Sequence, residues 1–238
     1  MGHTQQNTQP YYKAEREKSQ MKASCDLSNY EQIKPLLAIR MCDPDERPEC
    51  QDAVYTRGSL DVSYRIDMKE DEKWTCSLVI TNQMLDAWGI TKEQLHKDAL
   101  EADAKKGKAH LSCVEDEMAC FIAGAQVPNL LKDGLSISDK KCGMYFLTNQ
   151  AKRYGASVMA HDGVLEEVGE VLGGYYILPV SVHELIVVAD NEGVDPAGLQ
   201  CMVKEVNETE VNPEEFLSNK VFYYDREDGI VRVVSHGR

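Results

Sequence analysis

From Leu60 to Asp67 the chain alternates strictly, with apolar Leu60, Val62, Tyr64 and Ile66 set between polar Asp61, Ser63, Arg65 and Asp67. Successive side chains of a strand project to opposite faces, so this pattern predicts a half-buried β-strand. The charged link MKEDEK comes next, and Trp74 to Thr81 (WTCSLVIT) then reads as a second strand. A pair of strands so closely joined is expected to form an antiparallel hairpin.

Helix signals surround this hairpin. Ser28-Asn29-Tyr30-Glu31 has the capping-box pattern of a helix start, and Pro35 is expected to cut that helix within two turns. CDPDERPEC (42–50) is a loop. Thr91 is the expected N-cap of a second helix, with Gln94 as its capping-box partner and Leu95, Ala99 and Ala102 on its apolar face. Lys105, Lys106 and Lys108 place positive charge at the end where the helix dipole favours it. Glu115 to Ala125 reads as helical, and PNLLKDGLSISDKK as a long connection.

Beyond residue 143 the pattern is denser. Met144–Thr148 and Ala156–Ala160 are expected strands, and Asp162 the cap of a helix carrying Val164, Leu165, Val168, Val171 and Leu172 at helical spacing. Gly173-Gly174 ends it. Tyr175–Leu178 is a strand closed by Pro179, and His183–Ala189 an apolar run of the kind found in central strands. Asp195-Pro196 is an N-cap followed by proline at the first helical position, and Leu199, Met202, Val203 and Val206 give the stripe of that helix. Asn212 to Glu215 is expected to open one more short helix. Lys220–Tyr224 and Ile230–Val234 are final strands joined by a turn at Asp228-Gly229. Strands and helices neither alternate strictly nor segregate, which predicts an α+β fold with a mixed, largely antiparallel sheet and packed helices. Residues 1–26, polar and without apolar periodicity, are expected to be an arm, and 27–238 a single α+β domain.

Charge narrows the partners. Forty acidic against 26 basic residues give a net charge of −14. Nucleic-acid binders need a cationic face, and anionic membrane surfaces repel such a chain. No segment approaches the roughly 20 apolar residues needed to span a bilayer. The opening MGHTQQNTQP lacks a secretory apolar core, so a cytoplasmic location is expected and the eight cysteines are expected to be thiols. His110, Cys113 and Cys120 match no zinc spacing, and neither a metal nor a cofactor is expected. Cys76, among apolar strand residues, reads as a small buried hydrophobe.

The strings MYFLTNQAKRYGAS, GVLEEVGEVLGGYYILPVSVHELIVV and MVKEVNETEVNPEEFLSNKVFYYD resemble a bacterial family known only as a domain of unknown function, number 5688. The resemblance rests on Leu147-Thr148-Asn149, Tyr154-Gly155-Ala156, the Pro179-to-Glu184 signature, Asn207, Leu217-Ser218 and Tyr223-Tyr224, and it covers about residues 30 to 234. Val180 stands where the family signature has a serine. The resemblance implies no activity.

His183, beside Glu184 and two residues from Ser181, has the composition of a general-base site. Along a strand, Ser181 and His183 would share a face about 6.6 Å apart, too far for a direct hydrogen bond, with Glu184 on the other side. Cys142, preceded by Lys140 and Lys141 and followed by Gly143, is a candidate nucleophile if His183 folds near it. Asn149, Tyr154 and Asn207 are candidate ligand contacts, and each is equally natural as a turn or capping residue. His161-Asp162 is read as structural. No P-loop, dinucleotide fingerprint or serine elbow is present. The sequence therefore points first to a non-catalytic binding or regulatory protein. Its partner would be a protein or a small molecule, with Tyr175, Tyr176, Tyr223 and Tyr224 as candidate interface residues. A hydrolase-like enzyme using His183 with Glu184, Ser181 or Cys142 is the alternative, and a homo-oligomer a third possibility.

Overall fold

The computed structural model describes residues 26–46, 52–69, 75–132 and 143–234. Its strands fall into two separate antiparallel sheets. The first contains β1 (Leu37–Cys42), β2 (Tyr55–Thr56), β3 (Asp61–Lys69) and β4 (Thr75–Val79), and the alternating segment, β3, pairs with the other three. Leu60, Val62, Tyr64 and Ile66 are all buried, as their period requires. The short helix α1 (Tyr30–Ile33) precedes β1 and passes at Pro35 into a 3-10 turn, Lys34–Leu36. Helices α2 (Asn82–Trp88) and α3 (Lys92–Lys106) follow β4. Leu95, Ala99 and Ala102 of α3 are buried where that helix packs on β1.

The second sheet is six-stranded. It uses β5 (Ala109–Cys113), β6 (Met144–Asn149), β7 (Tyr175–Leu178), β8 (Leu185–Ala189), β9 (Phe222–Asp225) and β10 (Ile230–Val233), in spatial order β10-β9-β7-β8-β6-β5. Helix α4 (Val114–Ala123) follows β5, α5 (Val164–Leu172) precedes β7, and α6 (Pro196–Thr209) follows β8. The apolar run of β8 is explained by burial on both faces. Leu185, Val187 and Ala189 join Ile177 and Leu147 in a core shared with Ile39, Tyr64 and Ile66 of the first sheet. Val188 and Leu178 face the other way, onto Leu199 and Val203 of α6. Two antiparallel sheets with packed helices make this an α+β fold, with every strand pair antiparallel rather than mixed. Among the described residues, no helix is long and apolar enough to cross a membrane.

Several local expectations change in the structure. Residues 156–160 are not a strand: Gly155–Ala160 is a 3-10 helix. Both edges of β6, the strand before it, are already taken by β5 and β8, so no ladder position is open to it there. Asp162 is not the cap of α5; Gly163, at φ +80°, holds that position without a side-chain bond. Asn212–Glu215 makes a single turn, because the Glu215 carbonyl accepts from Val182 N–H (2.8 Å) and Phe216 bridges Ser181, drawing the chain out. Asn29 rather than Ser28 caps α1. Thr91 caps α3 as expected, whereas the Gln94 amide donates to Asp98 (2.8 Å) instead of returning to the cap. The structure also adds β1, β2, α2 and β5, which the sequence patterns had not marked.

The cysteines and tyrosines need correction too. Among the described residues Cys76, Cys120 and Cys201 are free thiols, but Cys113 is disulfide-bonded, so cysteine usage carries no argument for a reducing compartment. Cys76 is half-buried rather than buried, because β4 pairs on one side only, with β3. Tyr175 and Tyr224 are core residues, stacked across β7 and β9 at 4.9 Å, and cannot serve as a contact surface. Tyr176 and Tyr223, their outward-facing counterparts, are half-buried and lie 5.0 Å apart.

Candidate functional site

The end of β6 turns sharply at Asn149. Its side chain spans the turn, accepting from Arg153 N–H (3.3 Å) and donating to the Arg153 carbonyl (2.9 Å). This clamp holds two non-glycine residues in the left-handed region, Lys152 at φ +50° and Tyr154 at φ +51°. Such a conformation costs about 1–3 kcal/mol per residue and persists only where its surroundings enforce it. Gly155 follows because a Cβ there would fall 2.6 Å from the His183 carbonyl oxygen and 2.7 Å from the Asn149 nitrogen. The turn therefore lies directly against the segment carrying His183.

His183 is held from four sides. Its carbonyl accepts from Thr148 Oγ1 (2.8 Å), and its amide donates to Ser181 Oγ (3.1 Å). Its ring stacks on Tyr154 at 5.0 Å with 26° between planes, and its Nδ1 receives the Tyr154 backbone N–H at 2.9 Å. A backbone amide is only ever a donor, so Nδ1 must be the acceptor, and the neutral ring carries its proton on Nε2. Nε2 faces Glu215 Oε1 at 3.5 Å, longer than a good hydrogen bond. Partial burial pulls the His183 pKa below the ordinary histidine value; Glu215 opposes the shift, and Arg40 and Arg153 reinforce it.

Two arginines complete the cluster around Tyr154. The Arg40 guanidinium lies 3.9 Å from the ring centroid and that of Arg153 5.2 Å. In the β1–β3 register Arg40 pairs with Ser63 and Ala38 with Arg65, which makes Arg40 and Arg65 diagonal neighbours on one sheet face. The Nε atoms of both are buried without a hydrogen-bond partner. Burial and the adjacent Arg65 together hold the Arg40 pKa below the usual guanidinium value.

Asn149, Tyr154, Ser181 and His183 are thus brought together, but in particular roles. Ser181 Oγ accepts from a main-chain amide and makes no hydrogen bond to the imidazole. Glu184 belongs to a different neighbourhood, where burial raises its carboxyl pKa against the pull of Lys152, with Glu117 adding to the rise. Cys142 lies outside the described residues. Asn207 stands apart on α6, where its amide donates to the Ser218 carbonyl (3.0 Å) and Asn219 Oδ1 (2.9 Å). Beyond that tie, Ser218 and Lys220 hold buried Asp43, Lys220 at 2.7 Å. His161 is a structural residue: it and Ser157 bond the buried Asp103 of α3, at 3.0 and 2.8 Å. In the stretch His110–Cys120, His110 and Cys113 project to opposite faces of β5, and Cys120 bonds the Gln126 carbonyl. Among the described residues, no three His, Cys, Asp or Glu side chains gather as metal ligands.

Sequence reasoning missed Arg40, Arg65 and Glu215. A single charge inside LAIRMC was a usable signal for Arg40. Arg65 and Glu215 required strand register and the path of the 212–218 turn.

A two-sheet α+β scaffold with an arginine–tyrosine–histidine cluster where the sheets meet is the class that fold and site define. The chain belongs to the family of unknown function DUF5688, whose model matches residues 2–226. No curated protein and no solved structure matches it.

Proposed function

We propose that this is a non-catalytic binding protein whose contact surface is the Arg40–Tyr154–His183 cluster. One observation carries the reading. The lone pair that a general base would use is, in the neutral ring, the Nδ1 pair already engaged by Tyr154 N–H. His183 therefore offers a ligand an Nε2–H donor, beside an aromatic face and a guanidinium. Two of the three helpers named for the hydrolase reading are engaged elsewhere: Ser181 accepts from the His183 amide, and Glu184 answers to Lys152 and Glu117.

The test is an amide NMR screen of the purified full chain against a small-molecule library, with a parallel assay on ester, amide and phosphoester substrates. Hits are expected to shift the Tyr154 and His183 amides, and Tyr154→Leu is expected to abolish those shifts. Binding is expected to weaken as pH falls below the folded His183 pKa, which lies under the ordinary value of about 6.5. Protonation then makes Nδ1 a donor facing the Tyr154 donor, breaking the bond that orients the ring. Turnover lost on His183→Gln would refute the reading in favour of a hydrolase, and a screen without shifts at the cluster would refute it outright.

A further inference from the structure

Five basic side chains of this acidic chain are paired with carboxylates among the described residues. Lys34 pairs with Asp98, Lys106 with Asp67, Lys152 with Glu117, Lys220 with Asp43 and Asp45, and Arg232 with Asp225 and Asp228. Among the described residues Arg40 and Arg65 form no ion pair, and the Nε atom of each is buried without a hydrogen-bond partner. They are half-buried and adjacent, and Arg65 raises the cost of the Arg40 charge. Asp67, the acid whose charge acts on Arg40, is already bonded to Ser77 Oγ at 2.8 Å and lies 3.7 Å from Lys106. Leaving a buried guanidinium nitrogen without an acceptor is unfavourable, and each of the two arginines carries one.

The remaining geometry suits an anion. The Arg40 guanidinium carbon lies 3.9 Å from the Tyr154 ring centroid, and a guanidinium carries a planar fork of N–H donors suited to an acceptor. A planar fork of this kind matches carboxylate or phosphate oxygens in bidentate fashion. The neutral His183 Nε2–H, which Glu215 Oε1 faces at 3.5 Å, is a further donor near the same ring and needs no positive charge to act.

We propose that Arg40 and Arg65 form an oxyanion subsite that takes the phosphate or carboxylate group of the ligand whose remainder meets Tyr154 and His183. This rests on the binding reading above and adds the ligand's chemical class. Two guanidinium groups neutralise such a group, and the ligand supplies the acceptors that the fold leaves out.

The test titrates the full-length protein with inorganic phosphate and, separately, with succinate, by calorimetry at low ionic strength. Saturable binding of either probe is expected, and which one binds more tightly identifies the oxyanion. Arg65→Gln is expected to weaken it at least tenfold, equivalent to about 1.4 kcal/mol. Arg65→Lys is expected to keep part of the affinity while losing the bidentate contact, and Arg232→Gln to leave it unchanged. Arg65→Gln alone should not lower the unfolding midpoint, since no carboxylate is released. Binding that is equal in Arg65→Gln and wild type overturns the proposal. If neither anion binds while neutral library hits still shift the Tyr154 and His183 amides, the subsite is wrong and the binding reading stands. If nothing binds at the cluster, both fail.

Discussion

Alanine at position 155 would place a Cβ against Thr148 Oγ1, 2.6 Å from the His183 carbonyl oxygen and 2.7 Å from the Asn149 nitrogen. Comfortable contacts to carbon begin at about 3.5 Å, and two of these three neighbours are main chain, so a side-chain rotation cannot relieve the overlap. Forcing an extra carbon into a packed site costs about 1–3 kcal/mol. Thr148 must also give up its 2.8 Å hydrogen bond to the His183 carbonyl, worth about another 1 kcal/mol. The sum of about 2–4 kcal/mol is a large share of a typical total stability of about 5–15 kcal/mol. For a chain of this length it corresponds to a fall in Tm of roughly 5–15 °C. Urea unfolding of Gly155→Ala, Thr148→Ala and the double variant measures the loss as a cycle. Thr148→Ala is expected to rescue Gly155→Ala only in part, because the backbone contacts remain. A Gly155→Ala protein within about 0.5 kcal/mol of wild type, or full rescue by Thr148→Ala, would show that the turn does not press on the His183 segment as described.

Glu184→Gln should stabilise the protein at neutral pH. Burial raises the folded carboxyl pKa above its unfolded value, so the folded state carries a penalty that appears as pH rises through that folded pKa and is absent below about 4.3. A gain of about 1 kcal/mol, roughly 2–4 °C in Tm at pH 7, is expected to vanish near pH 4; a gain independent of pH would contradict the burial argument. Asp103→Ala removes the acceptor of the Ile39 amide, Ser157 Oγ and His161 Nε2. It is expected to cost about 3–5 kcal/mol in denaturant unfolding, with Asp103→Asn costing less, and equal losses for the two would argue against the acceptor role.

Much of the local structure was readable because its causes are local. The period of two at 60–67 makes β3, Thr91 caps α3, and Asp195-Pro196 opens α6 with Asp195 accepting from Ala197 and Gly198 amides. The errors occur where a distant partner decides. Segment 156–160 has the apolar look of a strand, but Ser157 and His161 are claimed by Asp103, more than fifty residues earlier. The 212–215 turn has good helix-start chemistry, and pairing with 181–182 overrides it. Four tyrosines looked like one surface until strand alternation and cross-strand stacking put Tyr175 and Tyr224 in the core.

The candidate site divides in the same way. The sequence by itself determined that His183, Ser181 and Glu184 are close along the chain, and that Asn149 and Tyr154-Gly155 mark a turn, since these depend on spacing and residue type alone. Tertiary structure decided which groups act on His183. Tyr154 N–H fixes the ring's tautomer from 29 residues away, Glu215 approaches from the far side, and Arg40 arrives on a strand of the other sheet. A hydrogen bond or a stacked ring depends on separations of a few ångströms between segments remote in the chain. Strand register and the left-handed Tyr154 turn set those separations here, and neither is written in the residues around His183.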